Sequence, residues 1–281
     1  LSGYLIYLYQ ATNNDEYLQQ MTKVVDLALN KMRKPERPWI LEQFNREWEY
    51  TYQSEEKQTE LNTGHNAELA WMLLRLHKLT GKEKYKQKAI NLADSLYQYG
   101  YNSSNGVWYD RIGLKDPSKH SNSSSWWIQA YGNMTSIYLY HITGEQKYLD
   151  AFRQGAKFWN NHYIDDQHGG TFLSVNPDGS IEKGDKAVRT KTSYHSLEHS
   201  LLNYLYTRLW VNEKPVTLYF KINSSLKREQ LYPLPIEEQD ITIQKARVDG
   251  NLLKSSYLGE RHILMPEGED MEIKVTLKKQ N

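Results

Sequence analysis

Two histidines of this chain are each followed by a glutamate three residues later, His65 by Glu68 and His195 by Glu198. Residues three apart are neighbours on a helix, so each carboxylate is predicted to orient its imidazole and to raise the pKa of that imidazole. Two such imidazoles facing one cavity would suit proton transfer on either face of a substrate. The alternative is a pair of helix-start histidines satisfied by local hydrogen bonds.

A tryptophan pair stands between the two histidines along the chain. Trp127 comes 62 residues after His65 and 68 residues before His195. Good helix N-caps, such as Thr63 and Ser125, stand just before these positions, so each is predicted to begin a helix. If the helices repeat, the three side chains converge at one end of a cavity and form a candidate site. Exposed aromatic faces in such a cavity would stack on sugar rings.

A Thr followed five residues later by Tyr forms a tag that reveals such a repeat. The tag occupies residues 12–17, 80–85 and 143–148, so that its copies are 68 and 63 residues apart. An apolar helical segment precedes each tag, and residues 201–210 form a degenerate fourth copy of that segment. A period of about 65 residues holds two helices and their loops, which predicts helical hairpins that stack on one another.

Beyond Pro215 the hydrophobic pattern changes from helical to alternating. Apolar residues alternate over 216–222, at Ile241 and Ile243, and over 273–277, with turn signals at Asp249 and Gly250. This pattern predicts a small antiparallel β unit. We therefore divide the chain into a helical domain, 1–212, and a β-rich domain, 215–281. The β unit is expected either to cap the last helix or to have a separate binding role.

Composition narrows the class of partners. The 281 residues carry a formal net charge of +1, and no apolar run approaches the roughly 18 residues that a membrane span needs. Neither nucleic acid nor a membrane is therefore predicted as a partner. The absence of cysteine excludes disulfides, thiolate metal sites and a cysteine nucleophile, but it leaves the cellular compartment open.

Four segments resemble, in order and spacing, the N-acylglucosamine 2-epimerase and cellobiose 2-epimerase superfamily. Residues 64–71 look like its Gly-His-x-x-Glu-x-x-Trp element, and residues 126–130 are similar to Trp-Trp-Pro-Gln-Ala. Residues 165–170 resemble Asp-x-x-x-Gly-Gly, and residues 191–195 resemble Lys-Gly-Pro-Tyr-His. The resemblance covers roughly residues 1–212. It implies a mainly α protein with an (α/α)6-toroid fold, of which this chain would supply about half to two-thirds.

The resemblance also implies a reaction. In that family one histidine removes the proton at C2 of a ring-opened sugar, and a second returns it on the other face of the enediolate. Carried over, His195 and His65 form the acid/base pair, and Glu68 supports His65. A mono- or disaccharide substrate is implied, with no metal or redox cofactor, because the carbonyl already acidifies the C2 proton. The candidate substrate-binding residues are Trp71, Trp126, Trp127, Gln129, Tyr131, Asp165, Lys191 and Tyr194.

Three departures from the family pattern limit this transfer. This chain has Tyr131 where the family has Glu, and Glu198 where the family has Arg, so sugar contacts are expected to differ. Six hairpins of about 65 residues would need roughly 390 residues, but only about 212 residues here are predicted to be helical. We expect a preceding N-terminal segment or a homo-oligomer to complete the toroid.

Three alternative functions stay open at this point. The chain could be a non-catalytic carbohydrate-binding relic of the fold. It could be a glycoside hydrolase, with Asp165 and Asp166 as the paired carboxylates. Residues 195–199 also spell the His-x-x-Glu-His zinc motif, in which His195 and His199 would bind the metal and Glu198 would activate water. That motif needs a distal carboxylate on a later helix, where the sequence predicts strands.

Overall fold

A computed structural model describes residues 3–34, 36–51, 60–223, 229–268 and 270–280 of the chain. Its α-helices are α1 Tyr4–Thr12, α2 Asp15–Lys31, α3 Thr63–Thr80, α4 Glu83–Tyr99, α5 Trp126–Thr143, α6 Gln146–His162 and α7 Tyr194–Tyr206. A π-helical turn, Thr207–Val211, continues α7, and a 3-10 turn occupies Ser255–Tyr257.

Short strands lie in the loops between the helices: β1 Glu60–Asn62, β2 Tyr101–Asn102, β3 Val107–Trp108, β4 Arg111–Gly113, β5 Ser124–Ser125, β6 Ser174–Val175 and β7 Ile181–Lys183. The strands after α7 are β8 Val216–Ile222, β9 Gln230–Leu231, β10 Ile241–Val248, β11 Asn251–Leu252, β12 Ile263–Leu264 and β13 Met271–Lys279.

The helices pack as the hairpins that the repeat predicts. α3 packs against α4 and against α5, and α5 packs against α6. α3 and α5 bury residues around most of their circumference, whereas α4 and α6 bury one face. A helix that is buried all round belongs to the interior, and an amphipathic helix belongs to the outside. α3 and α5 are therefore inner helices, and α4 and α6 are outer helices.

The Thr of each tag ends the first helix of its hairpin. Its hydroxyl donates a hydrogen bond to the carbonyl four residues earlier, and the next residue adopts the left-handed conformation that terminates a helix. Those left-handed residues are Asn13, Gly81 and Gly144, with φ of 53°, 68° and 72°. Glycine and asparagine adopt this conformation at the lowest energetic cost. This explains why the residue after the Thr is asparagine or glycine in each tag.

The Tyr of the tag fixes one outer helix to the preceding one. The buried Tyr85 donates a hydrogen bond of 3.1 Å to Asp26 of α2, and Lys84 pairs with the same carboxylate at 2.8 Å. Tyr148, together with the lysine before it, makes the equivalent contacts with Asp94 of α4, the hydroxyl at 2.7 Å. The tag is therefore the junction between neighbouring hairpins.

The tail forms the antiparallel β unit that the alternating pattern predicts. Four strands pair in the order β11-β10-β13-β8, and β9 pairs with β12. Inward-facing apolar residues such as Ile273 and Val275 are buried, whereas their neighbours in sequence are mostly exposed. Asp249 and Gly250, both with positive φ, form the predicted two-residue turn between β10 and β11.

By spatial proximity the chain divides into two compact units. One consists of Leu1–Lys23 with Leu205–Asn281, and the other is Val24–Tyr204. The change from helix to strand lies between Val211 and Val216, close to the predicted boundary, but the first helix groups with the tail. The division into 1–212 and 215–281 stays a prediction. Within the described residues, no helix has both the length and the apolar character that a membrane span requires.

Candidate functional site

The N-terminal ends of α3, α5 and α7 bring the three predicted aromatic side chains together. The imidazole of His65 lies 4.9 Å from the indole of Trp127, measured between ring centroids. The same indole lies 6.1 Å from the ring of His195. Both imidazoles therefore pack against one tryptophan, as expected from their matching places in the repeat.

Gly64 permits the close approach of α5 to the start of α3. A β-carbon at this position would lie 2.5 Å from Cζ3 of Trp127 and 2.5 Å from Cγ1 of Ile128, distances that atoms do not reach without displacement. Asn62 caps α3 by accepting a hydrogen bond of 3.0 Å from the backbone N–H of His65. The segment Asn-Thr-Gly-His thus starts the helix, admits the indole and places the imidazole beside it.

The carboxylate that hydrogen-bonds to His65 is Glu42, whereas Glu68 acts on His65 through its charge and makes no hydrogen bond to it among the described residues. Nδ1 of His65 hydrogen-bonds to the Glu42 carboxylate. Burial opposes the ionisation of Glu42, but the hydrogen bond with His65 and the charge of that imidazole hold the pKa of Glu42 below its usual range. Because a carboxylate only accepts, Nδ1 carries a proton, and Nε2 is the nitrogen of His65 that can exchange one.

His195 lies in an aromatic enclosure. Its ring centroid is 5.4 Å from that of Tyr131, 5.0 Å from that of Tyr194 and 6.0 Å from that of Trp126. Burial lowers the pKa of His195, and this effect exceeds the opposing attraction of Glu198. Glu198 acts in the predicted direction, but the net pKa is lowered because desolvation outweighs the nearby carboxylate. Nδ1 is buried and has no hydrogen-bond partner among the described residues, which leaves Nε2 for proton transfer.

Beneath the histidines, a carboxylate–tyrosine cluster consists of Glu68, Tyr131, Tyr194 and Glu198. The two oxygens of Glu198 accept hydrogen bonds from Tyr194 at 2.9 Å and from Tyr131 at 3.1 Å. Tyr131 also interacts with Glu68. Glu198 therefore acts on His195 through its charge, whereas the sequence predicted that it would orient the imidazole directly.

The cluster has unusual protonation behaviour. Burial, with a contribution from the negative charge of Glu198, raises the pKa of Glu68 to about 7. Burial and both carboxylates raise the pKa of Tyr131, so its hydroxyl stays protonated and keeps donating. Glu68 is therefore the member of the cluster that changes charge near neutral pH.

Two of the departures from the family pattern are one structural pair. Tyr131 and Glu198 hydrogen-bond to each other across α5 and α7. Where the family pattern has Glu and Arg, this chain has a neutral donor and a carboxylate. The second substitution matches the first, since the carboxylate at 198 finds its partner in the hydroxyl at 131.

Three predicted substrate-binding residues form hydrogen bonds within the protein. Gln129 is fully buried; it accepts the backbone N–H of Trp108 at 3.0 Å and donates to the carbonyl of Gly106 at 2.9 Å. The carboxylate of Asp165 forms an ion pair with Lys186 and accepts hydrogen bonds from two backbone N–H groups of its own turn. These interactions together lower the pKa of Asp165. The ammonium of Lys191 is held by backbone carbonyls beneath Trp126, and its burial lowers its pKa to about 8.

Trp71 supports the site from behind. Its side chain is fully buried, and its ring centroid lies 5.7 Å from that of Tyr131. It therefore packs against Tyr131 from within the core. Trp126, which is 4% exposed, is also an interior residue, so Trp127 is the indole that can meet a ligand.

Sequence analysis missed Asp110, which positions the tryptophan pair. Its carboxylate accepts hydrogen bonds from the hydroxyls of Ser125 at 2.7 Å and Ser123 at 3.1 Å, and from the backbone N–H of Ser125 at 2.5 Å. Ser125 is the N-cap residue of α5, but its own side chain makes no capping bond. No local signal marks Asp110, because its partners lie 13 and 15 residues away.

The zinc and hydrolase alternatives gain no support from these surroundings. Nε2 of His199 lies 3.1 Å from the amide nitrogen of Asn133, and its ring packs against Trp159. His199 thus has a different set of neighbours from His195. Within the described part of the chain, no group of three or more His, Asp or Glu side chains is arranged to hold a metal ion. Asp165, the first carboxylate of the hydrolase pair, is occupied by its own turn.

Inner helices that present histidine and tryptophan at their N-terminal ends are arranged as in a helical-toroid protein. The sequence profile of the N-acylglucosamine 2-epimerase (GlcNAc 2-epimerase) family matches residues 3–198. The chain belongs to that family.

Two curated relatives give the same picture. The chain is 23% identical to a D-mannose isomerase from Marinomonas mediterranea over 207 residues, which are 69% of this chain and 51% of the relative. It is 23% identical to a cellobiose 2-epimerase from Bacteroides fragilis over 196 residues, 67% of this chain and 47% of the relative. The chain thus spans about half the length of the curated relatives it matches.

Solved structures confirm the fold. A cellobiose 2-epimerase from Bacillus thermoamylovorans superposes with a TM-score of 0.61 at 23% identity, covering 71% of this chain and 50% of that protein. A D-mannose isomerase superposes with a TM-score of 0.63 at 20% identity, covering 72% and 53%. A GH76 α-mannanase from Bacteroides thetaiotaomicron has a TM-score of 0.53 at 15% identity, covering 71% and 49%. The predicted toroid-type architecture, present in part, is confirmed.

Proposed function

We propose that this protein is a sugar 2-epimerase or aldose–ketose isomerase that transfers a proton at C2 through an enediolate. The observation that carries the proposal is that the imidazoles of His65 and His195 both pack against the indole of Trp127. One imidazole is hydrogen-bonded to a carboxylate, and the other is surrounded by aromatic rings. Membership of the N-acylglucosamine 2-epimerase family supports this class of reaction. The identity of the sugar is left to experiment.

His195 suits the role of the base that removes the C2 proton. A partly buried imidazole with a lowered pKa is neutral at pH 7, so it can accept a proton without first losing one. The electron pair of the C2–H bond then moves towards the carbonyl and forms the enediolate. The proton resides on Nε2 of His195, since Nδ1 is buried.

His65 suits the second transfer. Its contact with the Glu42 carboxylate fixes Nδ1 as the donor and orients the ring, as carboxylates hydrogen-bonded to histidines do at other sites. Delivery of a proton from His65 to the opposite face of C2 would give the 2-epimer. Return of a proton from either histidine to C1 would give the ketose instead.

Trp127 and the absence of the family's cation at position 198 suit a neutral sugar. The exposed part of the indole between the two imidazoles offers a surface on which the apolar face of the substrate can pack. Glu198 in place of the family's Arg removes a cation from the neighbourhood of His195. We therefore propose an uncharged mono- or disaccharide as substrate.

The test is incubation of the protein with reducing sugars in D2O, followed by NMR. Mannose, glucose, fructose, cellobiose and N-acetylmannosamine form a suitable panel. Deuterium at C2 with a new 2-epimer identifies an epimerase, and a new ketose identifies an isomerase. If calorimetry shows sugar binding but no deuterium is incorporated from any member of the panel, the protein is a binding relic and the catalytic proposal fails.

A further inference from the structure

The outer face of the four-stranded sheet carries a row of side chains that the proposed reaction does not use. Tyr219 on β8 is opposite Lys274 on β13, Lys274 is opposite Arg247 on β10, and Arg247 is opposite Leu252 on β11. Residues directly opposite each other on paired strands project from the same face. The row therefore crosses the whole sheet, on the face away from the buried Ile273 and Val275.

This face contains a groove of about 440 Å³, lined in part by Tyr219, Lys221, Arg247, Glu272 and Lys274. Three of these five side chains are cationic and one is anionic, whereas the whole chain has a formal net charge of only +1. The groove is thus markedly more basic than the molecule as a whole.

The two cations in the row, Lys274 and Arg247, have no carboxylate directly opposite them, whereas Lys221 lies opposite Glu272. Among the described residues, no carboxylate lies within ion-pair distance of Lys221, Arg247 or Lys274; the guanidinium of Arg247 donates to the carbonyl of Gly250 at 2.9 Å. Lys274 and Arg247 are directly opposite on antiparallel strands, an arrangement of like charges that destabilises a sheet. An anion held between these two side chains would remove the repulsion.

An aromatic ring adjoins the paired cations. Tyr219 is 73% exposed, and the ammonium of Lys274 lies 5.4 Å from its ring centroid. Neighbouring strands are about 4.8 Å apart, so the ring on β8 and the guanidinium on β10 are roughly two strand spacings apart. A ligand that fits this row has a flat, partly apolar ring at one end and a negative group at the other.

We propose that this groove binds an acidic saccharide, a sugar chain that bears carboxylate groups. The pyranose ring would stack on Tyr219, and the carboxylate would lie between Lys274 and Arg247. This binding role is independent of proton transfer at His65 and His195. It develops the separate binding role of the β unit that the sequence leaves open.

Isothermal titration calorimetry at low and moderate salt tests the proposal, with tetragalacturonate as the acidic probe. Maltotetraose serves as the neutral control, and hexaglutamate as a control for any acidic chain. We expect tetragalacturonate to bind and the two control probes not to bind. Its binding should weaken at higher salt. Lys274→Gln, Arg247→Gln and Tyr219→Ala should each weaken it at least about tenfold. Lys88→Gln, the same change of charge at an exposed lysine of α4, should leave it unchanged.

Several outcomes would overturn the proposal. They are absence of tetragalacturonate binding, equal binding of maltotetraose, and binding that survives all three sheet substitutions in folded protein. Equal binding of hexaglutamate would assign the groove to an acidic protein segment instead. The variant His195→Ala should bind tetragalacturonate normally, so failure of the catalytic proposal and failure of this one can be distinguished.

Discussion

The two histidines of the site differ in their environment more than in their sequence context. Both precede a glutamate by three residues, but His65 pairs with Glu42, and His195 is enclosed by aromatic rings without a hydrogen-bond partner among the described residues. Such asymmetry suits a reaction in which one imidazole begins neutral and the other is supported by a carboxylate.

Removal of either imidazole should abolish most of the activity. His195→Ala and His65→Ala are each expected to lower turnover by at least about 100-fold, since general acid–base groups contribute factors of that size. His168→Ala, which changes an exposed histidine in a loop, is the matched control. Circular dichroism should show the same helix content in all variants. Full activity in either site variant would exclude that residue from the mechanism.

Replacement of Glu198 should shift the pH dependence of activity in a defined direction. The charge of Glu198 raises the pKa of His195 against the larger effect of burial, so Glu198→Gln should lower that pKa further. A base with a lower pKa stays neutral to lower pH, and the acidic limb of the kcat/KM profile should therefore move to lower pH. Tyr131→Phe, which keeps the charge of Glu198 but removes one hydrogen bond, should move the limb less.

An acidic limb that moves to higher pH in Glu198→Gln would contradict this account. So would complete loss of sugar binding without any change in the profile, because that result would assign Glu198 to substrate binding instead of to the support of His195.

Burial of Glu68 should leave a signature in the stability of the protein. Its pKa is 4.5 ordinarily and about 7 in the folded chain, so the folded state retains a proton that the unfolded state loses. The contribution of protonated Glu68 to the free energy of unfolding is fully present below about pH 4.5, and it is lost as the pH rises through about 7. Glu68→Gln should remove this loss and raise the free energy of unfolding at pH 8 by roughly 2–3 kcal/mol.

Urea denaturation at pH 5 and pH 8 measures this difference. The wild-type protein should lose stability relative to Glu68→Gln between the two pH values. If the two proteins change in parallel, Glu68 does not titrate in this range in the folded state.

At the scale of the elements, local patterns in the sequence predicted the hairpins and long-range contacts escaped prediction. The tag located the helix ends at Thr80 and Thr143 because a left-handed residue must follow a helix that turns back at once. The period then indicated that three helix starts converge. Glu42 and Asp110 could not be predicted, since they act on residues 23 and 15 positions away through loops with no periodic pattern.

The pairings of Glu68 and Glu198 illustrate the same limit. A spacing of three residues places two side chains on one side of a helix, but it does not reveal what lies opposite. In the structure the hydroxyl of Tyr131, on a different helix, donates a hydrogen bond to the carboxylate of Glu198. The burial that lowers the pKa of His195 also depends on packing between helices, so spacing alone gave the contribution of Glu198 but not the larger effect of desolvation.

The junction between outer helices should contribute measurably to stability. Tyr148→Phe removes a hydrogen bond of 2.7 Å to the Asp94 carboxylate and changes little else. We expect the free energy of unfolding to fall by about 1–2 kcal/mol, the usual range for a bond to a charged group that is partly exposed. Tyr140→Phe, at a partly exposed tyrosine of α5, is the matched control and should be neutral. Chemical denaturation monitored by circular dichroism measures the stability of both variants. An equal loss in the two would show that the hydrogen bond to Asp94 makes no specific contribution.

At the scale of the whole molecule, the chain corresponds to about half of its relatives. Helix α7 has a stripe of exposed apolar residues: Leu197, Leu201 and Tyr204 are 65%, 43% and 47% exposed. Their spacing of four and three residues places them on one face of the helix. A contiguous exposed apolar surface of this kind is typical of a protein contact site.

We therefore expect this chain either to self-associate or to belong to a longer gene product. Light scattering of the 281-residue protein should show an oligomer, and Leu197→Glu with Leu201→Glu should dissociate it. Mass spectrometry of the protein from its native source tests the second possibility. A dilute monomer that is stable at this length in its native source would contradict both expectations.

The tyrosine–aspartate junction also gives the array a direction. In α2 and α4, an Asp stands nine residues after the Tyr of the tag, at Asp26 and Asp94, so each of these helices offers an acceptor to the second helix of the next hairpin. In α6 the same place is occupied by Lys157, which cannot accept such a bond. A duplicated hairpin inserted after α4 would find a matching acceptor and would carry its own, whereas one inserted after α6 would find a cation. A duplication within the array would therefore keep this junction, whereas one after α6 would lose it.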